Sequence, residues 1–176
     1  MNQPAPAQSH LSISSEQVNA LPLYRFDGTI RLDADDATLA RVLPRLEKES
    51  LLGFDTETKP SFTKGESHPP ALVQLAASDV VYVVQLGALR DKRWFRSIFS
   101  PGRIIKAGVS TDYDVKKLQE MHGFEPGGFV DLADLAAKAG IRNRGLRGLA
   151  ALLMGIRVSK GARRSNWGRR TLSESQ

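Results

Sequence analysis

The sequence predicts an α/β fold: a mixed central sheet of three antiparallel strands followed by two parallel ones, flanked by helices. Three observations carry this. Apolar and β-branched runs at 51–58, 71–76 and 80–84 follow one another closely, the pattern of an antiparallel meander. Beyond residue 100, strand-like runs at 103–109 and 129–132 alternate with stretches of helical spacing, the pattern of parallel strands joined by helices. The length, 176 residues, suits one domain with a full core.

Taken in order, residues 1–22 are rich in Pro, Ala, Gln and Ser and read as a flexible N-terminal arm, which leaves the domain itself over 23–176. Ile30-Arg31-Leu32-Asp33 is a short strand. Asp35 or Asp36 then caps a helix whose apolar positions are Leu39, Val42, Leu43 and Leu46. Leu51-Leu52-Gly53-Phe54-Asp55-Thr56-Glu57-Thr58 is a core strand that carries two acids, and residues 59–70, with Pro60, Gly65, Pro69 and Pro70, are a loop. Trp94, Phe95, Ile98 and Phe99 form one face of a short helix stopped by Pro101-Gly102. The strand at 103–109 leads into a helix capped by Ser110 or Thr111, and helical stretches at 132–139 and 146–154 follow the last strand.

Composition narrows the function classes. No apolar run is long enough to cross a bilayer and the first residues lack a secretory pattern, so a cytoplasmic protein without a membrane partner is expected. The absence of cysteine excludes disulfides, thiolate metal sites and cysteine nucleophiles. A net charge of +6 and a pI near 9.8 favour polyanionic partners, because Lys and Arg displace counterions from phosphates. Gly127-Gly128 has no phosphate-loop spacing around it, and neither a nucleotide nor a haem cofactor is expected.

The chemistry concentrates on the acidic strand. Alternation puts Asp55 and Glu57 on the same face, with Cα atoms roughly 6.5 Å apart. At the end of an apolar run, two such charges call for a shared cation, and hard Mg²⁺ or Mn²⁺ suits carboxylate oxygens. The plainer alternative is a strand ending in solvated acids. The helix after Val109 offers Asp112 and Asp114. At about 100° per residue, Asp114 lies roughly 40–60° from the apolar centre set by Val115, Leu118 and Met121, and Asp112 roughly 120°. Asp114 therefore faces the sheet, although helix capping alone would also account for an acid in the first turn.

Three blocks carry a family resemblance: Phe54-Asp55-Thr56-Glu57-Thr58; Lys106-Ala107-Gly108-Val109-Ser110-Thr111-Asp112-Tyr113-Asp114-Val115-Lys116-Lys117-Leu118; and Ser165-Asn166-Trp167. In this order they resemble the DEDD, or DnaQ-like, 3′-to-5′ exonucleases, in the branch of ribonuclease D and the Werner syndrome exonuclease domain. The resemblance implies a ribonuclease H-like fold, two Mg²⁺ or Mn²⁺ ions, and a DNA or RNA substrate with a free 3′ end. It implies catalytic and metal-ligating roles for Asp55, Glu57 and Asp114. It also puts Thr58 and Lys59 at the mouth of the site, where the family holds the terminal nucleotide. The basic stretch with Lys160, Arg163 and Arg164 is either a solvated loop or a phosphate contact, and the second reading is preferred. The family's third motif, a tyrosine followed about four residues later by an aspartate on a helix, is expected a few residues after a segment like Asn166 to Gln176, and the chain stops at Gln176, just short of it. An incomplete exonuclease domain lacking its C-terminal helix, with impaired turnover, is therefore expected.

Two other readings compete. Asp55-Thr56-Glu57-Thr58 approaches the D-x-D-x-T of haloacid-dehalogenase-like phosphotransferases, with Asp55 as nucleophile, but Glu replaces the second Asp. A nucleic-acid-binding module without catalysis would keep the basic charge and dispense with the metal.

Overall fold

The computed structural model describes residues 11–159 and 165–173. In chain order the elements are α1 (Ser15–Ala20), β1 (Thr29–Asp33), α2 (Asp36–Leu46), β2 (Leu51–Thr58), β3 (Pro70–Ala76), β4 (Val80–Gln85), a 3₁₀ turn (Leu86–Ala88), α3 (Arg93–Phe99), β5 (Ile105–Gly108), α4 (Thr111–Met121), β6 (Phe129–Asp131), α5 (Leu132–Lys138) and α6 (Leu146–Met154). They fall into two compact units, one made of Phe26–Asp131 with Lys160–Gln176, the other of Met1–Arg25 with Leu132–Ser159.

The larger unit is an α/β layer structure on a six-stranded mixed sheet of order β1-β4-β3-β2-β5-β6. The meander β2-β3-β4 is antiparallel, β1 pairs parallel with β4, and β5 and β6 extend the other side in parallel. The sequence reading anticipated the three antiparallel strands and the two parallel ones, and the structure adds β1 as a third parallel pairing. Only β3 runs against the rest, so β2 and β5 end at the same edge of the sheet.

Alternation turns Leu52 and Phe54 of β2, Val73 and Leu75 of β3, and Tyr82 and Val84 of β4 toward one side. They are buried with Leu39, Val42 and Leu46 of α2, the Trp94-Phe95 pair, Ile98 and Phe99 of α3, and Val115 and Leu118 of α4. Phe54 is the hinge of this core, edge-on to Phe99 at 5.9 Å and to Phe129 at 5.2 Å. A buried side chain of this size contributes about 1.5–3 kcal/mol relative to exposure. α2 starts as the sequence predicts, with Asp35 accepting from the Thr38 N–H at 2.7 Å.

Two local features shape the edge where β2 ends. The β2–β3 register slips between Glu57 and Thr58, where Thr58 pairs with Pro70 and Ala71 is passed over. β5 pairs only with Leu51–Gly53 of β2, so the acidic half of β2 extends beyond β5.

In the smaller unit, α1 opens on a capping box in which Ser14 and Gln17 satisfy each other's backbone N–H groups. Asn143 clasps Ile13 through its N–H (2.8 Å) and carbonyl (3.0 Å). Short bridges join Leu11 to Ile141 and Leu23 to Arg157. Among the described residues no helix is long and apolar enough to cross a membrane.

Candidate active site

Asp55 and Glu57 lie on the side of β2 opposite Phe54, where Asp55 is exposed and Glu57 half-buried. The Asp55 Oδ1 accepts from the Thr56 N–H at 2.9 Å. The third acid arrives on α4. Gly108 ends β5 so close to β2 that a Cβ there would stand 2.4 Å from the Phe54 carbonyl oxygen and 2.7 Å from Cγ2 of Thr111. Only glycine permits this approach, and it brings the first turn of α4 alongside the acidic half of β2.

Helical phase then separates the two acids of α4 as the periodicity predicts. Asp112 is exposed, whereas Asp114 is half-buried and its Oδ1 accepts from the Thr56 hydroxyl at 2.7 Å. Burial pushes the Asp114 carboxyl above its ordinary range, the Thr56 hydrogen bond pulls it back, and the negative charge of Asp55 raises it further. Asp55 and Asp114 are thus near enough to feel each other's charge.

The start of α4 departs from the expectation that Ser110 or Thr111 caps it. Ser110 occupies the cap position in a left-handed conformation (φ 62°) and makes no side-chain cap bond. The orphan N–H groups of Ser110 and Thr111 instead donate to the two carboxylate oxygens of Asp131, at 3.1 and 3.0 Å. The cap comes from β6 because the sheet carries that carboxylate to the head of the helix, a tertiary relation that local pattern does not encode.

Thr58 and Lys59 line a cleft of about 670 Å³ together with Glu57, Ser61, Phe62, His68 and Tyr113. Two aromatic rings are presented there, Phe62 at 89% exposure and Tyr113 at 58%. The segment after residue 164 closes on the same end of β2. A Cβ on Gly168 would lie 3.2 Å from Cβ of Lys59, and Gln85 Nε2 of β4 donates to the Arg169 carbonyl at 3.1 Å. Trp167 is buried, which makes it an anchor for this segment rather than a stacking surface. All three sequence blocks therefore meet at one sheet edge. Lys160, Arg163 and Arg164 lie outside the described residues.

The donor set is all oxygen, and two carboxylates within range of mutual repulsion fit a hard divalent cation. Among the described residues no three His, Asp or Glu side chains gather tightly enough to hold one ion by themselves. A site that shares its acids between two ions does not require such a group. Sequence reasoning missed Thr56, Asp131 and Phe62. Of these only Thr56 gave a signal, a hydroxyl on the apolar face of a core strand.

Comparison with known proteins identifies the family. Residues 31–176 match the family described as 3′-5′ exonuclease. Ribonuclease D of Gluconacetobacter diazotrophicus is 30% identical over 142 residues, covering 78% of this chain and 35% of that protein. The mouse bifunctional 3′-5′ exonuclease/ATP-dependent helicase WRN is 27% identical over 166 residues, covering 89% of this chain and 12% of its own length. The chain thus spans well under half of either relative. Escherichia coli RNase D has the same fold, with a TM-score of 0.75 at 21% identity over 84% of this chain and 39% of that one. The EXD2 exonuclease domain soaked in Mn matches with a TM-score of 0.56 at 27% identity, over 84% and 79% of the two chains. The chain belongs to the 3′-5′ exonuclease family, in the DnaQ-like branch that includes ribonuclease D and the WRN exonuclease.

Proposed function

We propose that this chain hydrolyses phosphodiester bonds of DNA or RNA one nucleotide at a time from a free 3′ end, using two divalent cations held by Asp55, Glu57 and Asp114. The observation that carries this reading is the meeting of β2 and α4, where Thr56 bonds Asp114 and Asp55 acts on its charge. The EXD2 exonuclease domain, solved after soaking in Mn, supports the choice of metal. When bound, such ions activate water and neutralise the charge developing on the scissile phosphate and the leaving oxygen.

The residues of the chain supply position and electrostatics. Asp55 and Glu57 present oxygens from one rigid strand face, and Asp114 adds a carboxylate from the start of α4. Thr58 and Lys59, at the mouth of the cleft, receive the terminal nucleotide, and the Lys59 ammonium attracts its phosphate. The exposed rings of Phe62 and Tyr113 offer faces for bases to stack on, an interaction indifferent to sequence. Lys160, Arg163 and Arg164 are assigned, by their charge, to contacts with substrate phosphates. A polypeptide of these 176 residues carries three of the four family acids, so it is expected to turn over more slowly than one extended through the third motif.

The test uses 5′-labelled single-stranded DNA and RNA oligomers with Mg²⁺ or Mn²⁺, on this chain and on the extended polypeptide. A ladder shortening from the 3′ end is expected, abolished by chelation and reduced at least about 10²-fold by Asp55→Asn. Undiminished cleavage by that variant, or cleavage in excess chelator, would overturn the proposal. Metal-independent binding of both oligomers with no cleavage by the extended form would favour a binding module instead.

A further inference from the structure

Thr56 stands between the two acids of β2, and alternation turns its side chain to the face that Leu52 and Phe54 bury. An apolar residue would fill that position most simply. The chain instead places a hydroxyl there, and it donates to Oδ1 of Asp114 at 2.7 Å across 58 positions of sequence. The approach is enforced by the backbone, since β5 leaves β2 after Gly53 and Gly108 lets the head of α4 close on Phe54.

We propose that Thr56 is a positioning residue for the exonuclease site, fixing the rotamer of Asp114 so that its carboxylate faces Asp55. The hydroxyl engages one oxygen only, so the carboxylate keeps a second for a cation. One rigid strand thereby sets the geometry of all three acids: Asp55 and Glu57 directly, from one face, and Asp114 indirectly, through the residue between them on the other. A carboxylate that starts a helix has free rotation about two bonds. A partner on a central strand removes that freedom before the ion binds, which is how residues behind a ligand set its affinity. This inference rests on the reading of Asp55, Glu57 and Asp114 as cation ligands.

The test is Mn²⁺ binding to the metal-free protein, followed by calorimetry and by the electron paramagnetic resonance of free Mn²⁺, with thermal melts recorded in chelator. The wild type is expected to bind, and Asp55→Asn to lose binding. Thr56→Val keeps the shape without the hydroxyl and is expected to weaken binding about 10- to 100-fold, with Thr56→Ser restoring it to within about threefold of wild type. Thr56→Ala, which introduces no overpacking, carries the same expectation as Val and serves if Val melts early. Wild-type affinity in both Val and Ala variants, with Asp55→Asn defective, overturns the positioning role and leaves the ligand reading standing. Equal weakening by Val and Ser also overturns it, because packing rather than the hydroxyl would then be responsible. A wild type that does not bind Mn²⁺, or an Asp55→Asn variant that binds as well as wild type, removes the ligand reading and the positioning role together.

Discussion

Asp33 ends β1 with its side chain in the interior, at 0% exposure, and neither carboxylate oxygen accepts a hydrogen bond among the described residues. Burial raises its carboxyl above the ordinary range, Arg31 opposes this, and the charge of Asp35 adds to it. A folded-state value above the unfolded one means that the native protein holds this proton more tightly. The ionisation-linked part of its cost is therefore absent at acid pH and grows as pH rises from the ordinary carboxylate range through the raised value. Asp33→Asn is expected to stabilise the protein by about 1–3 kcal/mol at neutral pH. Denaturant melts of both forms at stepped pH should show the gain shrinking toward acid; a constant gap would refute the assignment. At this scale the sequence made the placement of Asp55, Glu57 and Asp114 legible, because strand alternation and helical phase are local geometry. It left Thr56 and Asp131 unread, since each owes its role to a partner brought near only by the sheet.

Between β2, β5 and α4 the critical residue has no side chain. Gly108 permits the contact with the Phe54 carbonyl that hands Asp114 to the acidic strand, so Gly108→Ala must separate β5 from β2 or tilt α4. Overpacking of this kind typically costs about 1–3 kcal/mol, and here it falls on the element that carries a proposed ligand. The variant is expected to lower the denaturation midpoint and to lose Mn²⁺ affinity at temperatures where it is still folded. Retention of wild-type Mn²⁺ affinity by the folded variant would show that α4 tolerates the shift. Lys106, on the same strand, is wholly buried and donates to the carbonyls of Ile104 (2.7 Å) and Pro101 (3.1 Å), which ties the turn before β5 to the strand itself. The strands and helices from β1 onward were legible because each agrees with its own period, whereas α1, a six-residue helix inside the stretch read as a flexible arm, is too short to show one. The short reach of β5 along β2 was not, because where a strand stops pairing depends on what packs against its end.

Across the whole molecule, the +6 charge and the acidic edge of the sheet pull in opposite directions on a polyanion. On the proposed function, the net positive charge draws nucleic acid in, and the acids repel its phosphates until cations neutralise them. Binding of a single-stranded oligomer in chelator is expected to weaken with salt, with a log–log slope of about −0.7 per phosphate contacted. Fluorescence anisotropy across a salt series measures that slope, and a flat response would deny the basic surface its role. The order of the sheet was legible up to the meander, because antiparallel neighbours joined by short turns adjoin in sequence. The pairing of β1 with β4 was not, since it joins segments with two strands between them. The slipped register at Glu57 and Thr58 has a consequence for how such a molecule diversifies. Residue pairing is locked up to Glu57 and Leu72, and the slack lies beyond it, so an insertion or deletion in 59–69 is absorbed there without shifting Asp55 or Glu57. The irregularity works as an expansion joint: selection can remodel the rim of the cleft while the two acids behind it keep their alignment.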